Sequence, residues 1–401
     1  MAAACGAFAC AATRNRGRVA EMKIRAGLIA FAVLLSTRAG AGLLSVGPGR
    51  ALKSPSAAAA VAKDGDLIEI DAGDYRGDAA VWSANGLTIR GVNGMARLDA
   101  GGKSAQQKAV WIIRGNNTIV ENIGFGGCRV PDHNGAGIRH EGAGLTVRHC
   151  LFHDNENGIL TGANAESDIL VEHSEFHHNG FGDGYSHNLY IGRVRSFTMR
   201  FSSSHHSKTG HLVKSRAQTN MILCNRLMDE DDGTSSFVID LPNGGRSFII
   251  GNIIQHGPQA VNRTAVSYAA EGTENAVQEL FVVNNTCVNE RSPAGDFLRI
   301  AGNPARVRVV NNLLVGFKSV SDGETEPVGN LLTAHPGFAD AAKRDYRLLT
   351  KSPAAGAGVD PGKAGDFDLM PAFYYEHPLA SGKRERKEKP DLGACPVASG
   401  R

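Results

Sequence analysis

Along residues 87–312 one hydrophobic–polar pattern keeps returning. Two apolar residues flank a variable one, and two or three small or polar residues then lead to another apolar position. The chain reads Leu87-Thr88-Ile89, Thr118-Ile119-Val120, Leu145-Thr146-Val147 and Ile169-Leu170-Val171. Phe197-Thr198-Met199, Met221-Ile222-Leu223, Phe248-Ile249-Ile250, Phe281-Val282-Val283 and Val307-Arg308-Val309 continue the series. These runs lie about 27 residues apart and are rich in Val, Ile, Phe and Thr, residue types that fit a pleated, half-buried surface. A second short run sits midway in most repeats. Examples are Gly137-Ile138-Arg139-His140, Gly158-Ile159-Leu160-Thr161, Asn188-Leu189-Tyr190-Ile191 and His211-Leu212-Val213-Lys214. No repeat carries the 3.6-residue periodicity of an amphipathic helix.

Two or three short strands per coil, joined by turns, predict an all-β chain. The architecture is a single-stranded right-handed parallel β-helix, a solenoid in which each coil stacks on the last. Leucine-rich repeats need a Leu-x-x-Leu-x-Leu spacing that is absent, and propeller blades need about 40 residues and four strands. Asn225, Asn252, Asn285 and Asn312 hold the same phase in four successive coils. Amides stacked in this way can bond along the solenoid axis. Ser54-Pro55-Ser56-Ala57 through Lys63 reads as a short helix, with Ser54 as N-cap and Pro55 at the first helical position. Such a helix caps the open end of a solenoid and protects its edge. The expected organisation is a signal peptide at 1–41, a cap and first strand at 42–80, the β-helix at 81–318 and an irregular C-terminal segment at 319–401. Residues 383–389 read as a solvated charge run.

Composition narrows the partners. There are 43 Lys+Arg against 40 Asp+Glu, a formal charge of +3. That balance speaks against a nucleic-acid binder, which carries a basic excess. Gly is abundant, 49 of 401 residues, without a Gly-X-Y period, which excludes collagen and favours turn-rich β structure. Met22-Lys23-Ile24-Arg25, an apolar run from Ala26 to Leu35 and Ser36-Thr37-Arg38-Ala39-Gly40-Ala41 form a basic start, a short apolar core and a small-residue cleavage site. The run is too short to span a bilayer and fits a secretory signal, with Met22 as an alternative start and an N-terminal membrane anchor as the other reading. A periplasmic or secreted monomer follows, with no membrane contact after cleavage. Five Cys lie beyond the signal, scattered singly without CxxC spacing, so a zinc site is not expected. They read as buried small hydrophobes, with a Cys128–Cys150 bridge as an option.

The opening Ser54-Pro55-Ser56-Ala57, Asp64-Gly65-Asp66 and Gly73-Asp74-Tyr75, and the ending Asp345-Tyr346-Arg347-Leu348, Ser352-Pro353-Ala354 and Asp391-Leu392-Gly393-Ala394, carry a resemblance. From about residue 50 to 360 the sequence resembles the bacterial pectate-lyase-like right-handed β-helix proteins, a group of lyases, epimerases, hydrolases and adhesins. Leu212-Val213-Lys214-Ser215-Arg216, followed by Asn225 and Asn243-Gly244-Gly245, is similar to the family 6 polysaccharide lyases, which act on alginate and chondroitin-B. The resemblance implies that Lys214 is the proton-abstracting base. In that family an Arg on the next coil assists, and some members hold calcium with acidic residues just before the Lys. Here Val238-Ile239-Asp240-Leu241 stands where the Arg is expected, and Ser207-Lys208-Thr209-Gly210-His211 precedes Lys214 without a carboxylate. No metal ligand is assigned, and calcium enters only through the resemblance or through the acidic run Asp229 to Asp232, which lacks the spacing of an EF-hand loop.

Polar residues concentrate between 183 and 216. Aligning Leu189 with Leu212 sets Asn188 beside His211 and Ile191 beside Lys214. Strict alternation from an inward Leu212 would then turn Lys214 inward, unless the strand bends after Val213 or Lys214 is buried beside Asp240 or Asp183. The chemistry suggested is cleavage or C5 epimerisation of an acidic polysaccharide built from uronates. Arg216 suits neutralisation of the C6 carboxylate, Lys214 suits proton abstraction, and His187, His211 or Tyr190 could protonate the leaving oxygen. Arg139, His140, Asp183, Asn188, Asp240 and Glu271 are candidate substrate contacts. A non-catalytic glycan-binding or surface protein is an alternative. A glycoside hydrolase is another, with Asp183 and Asp240 as the carboxylate pair.

Overall fold

A computed structural model describes residues 41–397 except Glu324. Apart from Ala41, the expected signal peptide lies outside the described residues, as do Cys5 and Cys10. The chain winds into a right-handed parallel β-helix. One coil places Thr118–Glu121, Ile123–Gly126 and Ala136–His140 on three successive faces. The next places Leu145–Arg148, Leu151–His153 and Asn157–Thr161 directly on them. The pairings are parallel, with Val120 against Val147, Phe125 against Phe152 and Ile138 against Ile159. Two faces are joined in a 21-stranded sheet, and the third is a separate nine-stranded sheet.

Identical registers make identical side chains stack. Val120, Val147, Val171, Met199, Ile222, Ile249, Val282 and Val309 all point inward and are fully buried. Phe125, Phe152 and Phe176 stack with ring centroids 5.0 and 4.7 Å apart. Each apolar side chain is thus packed by its counterparts above and below, and burial on this scale is the main favourable term in folding.

The turn between the first two faces explains the asparagine phase. His149, His173, Phe201, Cys224, Gly251, Asn284 and Asn311 occupy it with φ between 48 and 68°. The next side chain folds inward, and there the amides bond: Asn225 to Asn252 at 3.0 Å, Asn252 to Asn285 at 3.1 Å and Asn285 to Asn312 at 2.9 Å. The ladder runs further than expected. Asn312 donates to Asn330, and upstream the same position is filled by Ser202, Ser174 and Cys150, linked through backbone N–H groups.

The ends differ from expectation. The helix is only Pro55–Ala59, with Ser54 Oγ accepting from the Ala57 N–H. A strand at Leu43–Val46 pairs with Leu67–Ile70, so the solenoid begins one coil before Leu67-Ile68-Glu69-Ile70, the run that the sequence pattern marks as the first strand. After residue 333 the chain forms three short antiparallel pairs. Tyr346, Tyr375 and Cys395 pack on Met228, Ile253 and Val288, and Ala364 and Leu369 pack on Phe248 and Phe281, covering the outside of the larger sheet. The 383–389 run is not wholly solvated. Arg384 is buried and donates to the carbonyls of Asp391, Gly393 and Ala394, which satisfy a guanidinium that burial would otherwise leave unpaired. The five described cysteines are buried and free, so no Cys128–Cys150 bridge forms.

Candidate functional site

The site stands on the outer row of the nine-stranded sheet. Strand by strand this row is Arg139, Leu160, Tyr190, Lys214, Asp240, Ser267 and Arg299. The expected register is therefore one residue out. Tyr190, not Ile191, lies against Lys214, and the inward partner in the Val213–Ser215 strand is Val213, which stacks on Ile239. Leu212 is also buried but sits before the strand, at the corner. Since side chains alternate, this single step turns Lys214 outward.

The same register puts His187 over His211, with ring centroids 4.6 Å apart, and Phe237 beyond at 5.6 Å. His187 Nδ1 accepts the His211 N–H at 3.0 Å, and His211 Nδ1 accepts the Phe237 N–H at 3.1 Å. Each neutral ring therefore carries its proton on Nε2. Burial drives His187 well below the usual histidine range and His211 down to about 4, with Asp240 opposing the shift at His211. The stack needs close backbone approach, because a Cβ at Gly210 would lie 1.9 Å from the Ser186 carbonyl oxygen.

Two cations and two carboxylates interlock beside this stack. Lys214 Nζ lies 3.2 Å from Asp240 Oδ2 and 3.1 Å from Glu271 Oε1. Arg216 Nη2 donates to Glu271 Oε2 at 2.6 Å, its Nε to the Tyr190 hydroxyl at 3.1 Å and its Nη1 to Asn243 Oδ1 at 2.7 Å. Both cations also lie near the Tyr190 ring face, 5.7 and 5.8 Å from its centroid. Burial works to raise the Glu271 carboxyl, but Arg216 and Lys214 outweigh it and hold it below its usual range. His211 Nε2 is 3.4 Å from Asp240 Oδ2. These groups line an open cleft of about 400 Å³ together with Tyr185, Ser236 and Phe237.

Lys214, Arg216, His187, His211, Tyr190, Asp240 and Glu271 thus converge on one cleft. Four expected contacts do not line it. Asn188 is fully buried, bridging Asn179 to Ser204 in a second amide ladder. His140 is buried on the inward row, between Ile113 and Thr161, and burial lowers it to about 4. Asp183 is exposed and accepts the Tyr185 N–H. Arg139 is on the outer row but two strands beyond Tyr190, roughly 10 Å away along the axis. Asn243, Tyr185, Ser236 and Phe237 were not singled out as site residues. Tyr185 carried a signal, a large aromatic in the polar turn Asp183-Gly184-Tyr185-Ser186, and it is 82% exposed.

No family profile matches the chain, and no curated protein matches it in sequence. Among solved structures it is similar to pectate lyase Pel9A, with TM-score 0.58 and 14% identity over 89% of this chain and 96% of that one. The fold is that of the pectate-lyase-like β-helix. A Geobacillus virus E2 ORF18 structure aligns with TM-score 0.44 and 10% identity, over 69% of this chain and 55% of that one. A PL6 family alginate lyase, AlyGC, aligns with TM-score 0.37 and 15% identity, over 89% and 57%.

Within this pectate-lyase-like solenoid the donor sets do not suit calcium. Asp229 is buried on Ser235 and the Gly257 N–H, and burial raises it to about 6. Glu230 pairs with Arg226 and Arg344, Asp231 with Arg344 and Asp232 with His206. At the cleft, Asp240 and Glu271 are both engaged by Lys214. Among the described residues no group of three or more His, Cys, Asp or Glu is arranged to hold a metal ion.

Proposed function

We propose that the cleft binds a uronate-containing acidic polysaccharide and acts on it by β-elimination or C5 epimerisation. The observation that carries this reading is the convergence of Lys214 and Arg216, two residues apart on one chain segment, with the Tyr190 hydroxyl. Arg216 binds the C6 carboxylate, which makes the C5 proton removable. Lys214 takes that proton as a neutral amine, after its ammonium has given up a proton to solvent. In elimination the C4–O bond breaks, a C4=C5 double bond forms and O4 receives a proton. Tyr190 is a better proton donor than either histidine, because neutral imidazole N–H is a very weak acid. Arg216 Nε already donates to the phenol oxygen, so a phenolate formed there keeps a cationic partner. His187 and His211 instead build the cleft wall and donate from Nε2. Epimerisation uses the same first step, with the proton returned to C5 from the opposite face.

A second reading has a specific observation behind it. Asp240 and Glu271 both reach the cleft beside Lys214 Nζ, and a pair of carboxyl groups on one cleft is what a glycoside hydrolase places about its scissile bond. Asp183 is not among the groups lining the cleft, though the next two residues of its turn are. Incubation with alginate, polygalacturonate and glycosaminoglycans separates the readings. Ultraviolet absorbance of unsaturated uronates supports elimination, and altered uronate stereochemistry supports epimerisation. New reducing ends without absorbance would replace both with hydrolysis, and no change in any glycan would leave only binding. An acidic polysaccharide is an extracellular class of substrate, which fits an exported protein, and every group lining the cleft belongs to one chain. No helix among the described residues is long and apolar enough to cross a membrane.

A further inference from the structure

The two carboxylates on Lys214 differ in how they are held. Asp240 lies in the Ile239–Leu241 strand, its side chain 5% exposed, fixed by parallel pairing on both sides. Glu271 lies beyond the end of the Val266–Tyr268 strand, its side chain 48% exposed. The turn that carries it runs from Ala269, at φ 58°, to Gly272, at φ 132°. One Glu271 oxygen meets the ammonium of Lys214 and the other meets the guanidinium of Arg216. A carboxylate straddling these two cations is what a bound uronate would have to present. The same position cannot hold both.

We propose that Glu271 is an internal stand-in for the substrate carboxylate, seated on Lys214 and Arg216 in the free protein and displaced when a uronate enters. This deepens, and rests on, the acidic-substrate reading above. The exchange swaps one carboxylate for another, so the charge of the cluster is preserved. A neutral sugar offers no replacement and would leave Lys214 with Asp240 alone and Arg216 with no carboxylate, in a partly dry cleft where unpaired charge is costly. Glu271 therefore selects for acidic glycans.

The test uses small carboxylates, acetate and glucuronate, titrated by calorimetry into the full chain and into E271A and E271Q. If the seat is occupied by Glu271 more than about nine-tenths of the time, removing it raises apparent carboxylate affinity by about ten-fold or more. E271Q keeps the side-chain shape, loses the charge and gives a gain in the same direction, which guards against misfolding of E271A. Adding R216A to either variant abolishes the gain. Unchanged or weakened binding in E271A and E271Q, or a gain that survives R216A, overturns the proposal. The outcome is separable from turnover. Tighter acetate binding in E271A with no acidic glycan altered by the native protein keeps the seat and removes the reaction.

Discussion

Lys214 Nζ is held between Asp240 and Glu271, and its side chain is only 10% exposed. Replacing it removes a candidate base and also strands the buried Asp240 carboxylate. Leaving such a charge uncompensated costs about 3 kcal/mol. K214M is therefore expected to lower the urea midpoint as well as abolish turnover, which would confuse the two roles. K214M/D240N removes both charges and should recover most of the stability while turnover stays absent. Recovery of turnover in the double variant would show that Lys214 is structural. At this scale the sequence exposed the residue types but not their facing. Leu212 and Val213 are both buried, one at a corner and one in a strand. A pattern read as strict alternation takes the first as the anchor and turns Lys214 the wrong way. The missed Glu271 bridge has a different cause, because 55 residues separate it from Arg216 and only coil stacking brings them together.

At the scale of the element, repeated position was legible because stacking makes each coil the template for the next. The asparagines at 225, 252, 285 and 312 read as a ladder from their shared phase alone. Its continuation through Ser202, Ser174 and Cys150 does not, since three residue types fill one geometric role there. Asn252 is the best place to test what the ladder contributes. It is fully buried, accepts from the Asn225 backbone and side chain, and donates to the Ile222 carbonyl and to Asn285. N252A takes the side-chain acceptor from the Asn225 N–H and the side-chain donor from the Ile222 carbonyl and should cost about 2–3 kcal/mol, because a buried polar group deprived of its bond bears its full desolvation penalty. N252S should cost less, as serine already fills the equivalent position at 174 and 202. Equal midpoints for N252A and the native chain in urea titration would show that the amides merely occupy turns. The N-terminal boundary was read less well for a related reason. Leu43–Val46 is one short strand with no repeat before it, so periodicity had nothing to match.

Across the whole molecule, stacking also gathers histidines where water is excluded. His140, His177, His211 and His256 are each pushed by burial from the usual value near 6.5 down to about 4. At pH 7.5 they are neutral whether the chain is folded or not and do not affect the balance. As pH falls below 6.5 the unfolded chain takes up protons that the folded chain refuses, so stability declines until about pH 4. Asp229 acts in the other direction. Burial raises it to about 6, so between roughly pH 6 and its unfolded value of 3.8 the folded chain binds a proton more readily and gains stability. Four groups lowered from 6.5 to about 4 outweigh one raised from 3.8 to about 6, so the sum falls with acidification. His187 and His206, also lowered, add to the decline. Two of these rings stand in the cleft, where His187 and His211 use Nδ1 to accept backbone N–H groups, and protonation there must break that contact. Urea midpoints measured from pH 7.5 to 4.5 should therefore fall steadily, beginning well above the range in which paired carboxylates titrate. A flat profile down to pH 5 would mean that the imidazoles stay hydrated in solution, and the closed histidine stack that shapes the cleft would have to be abandoned with it.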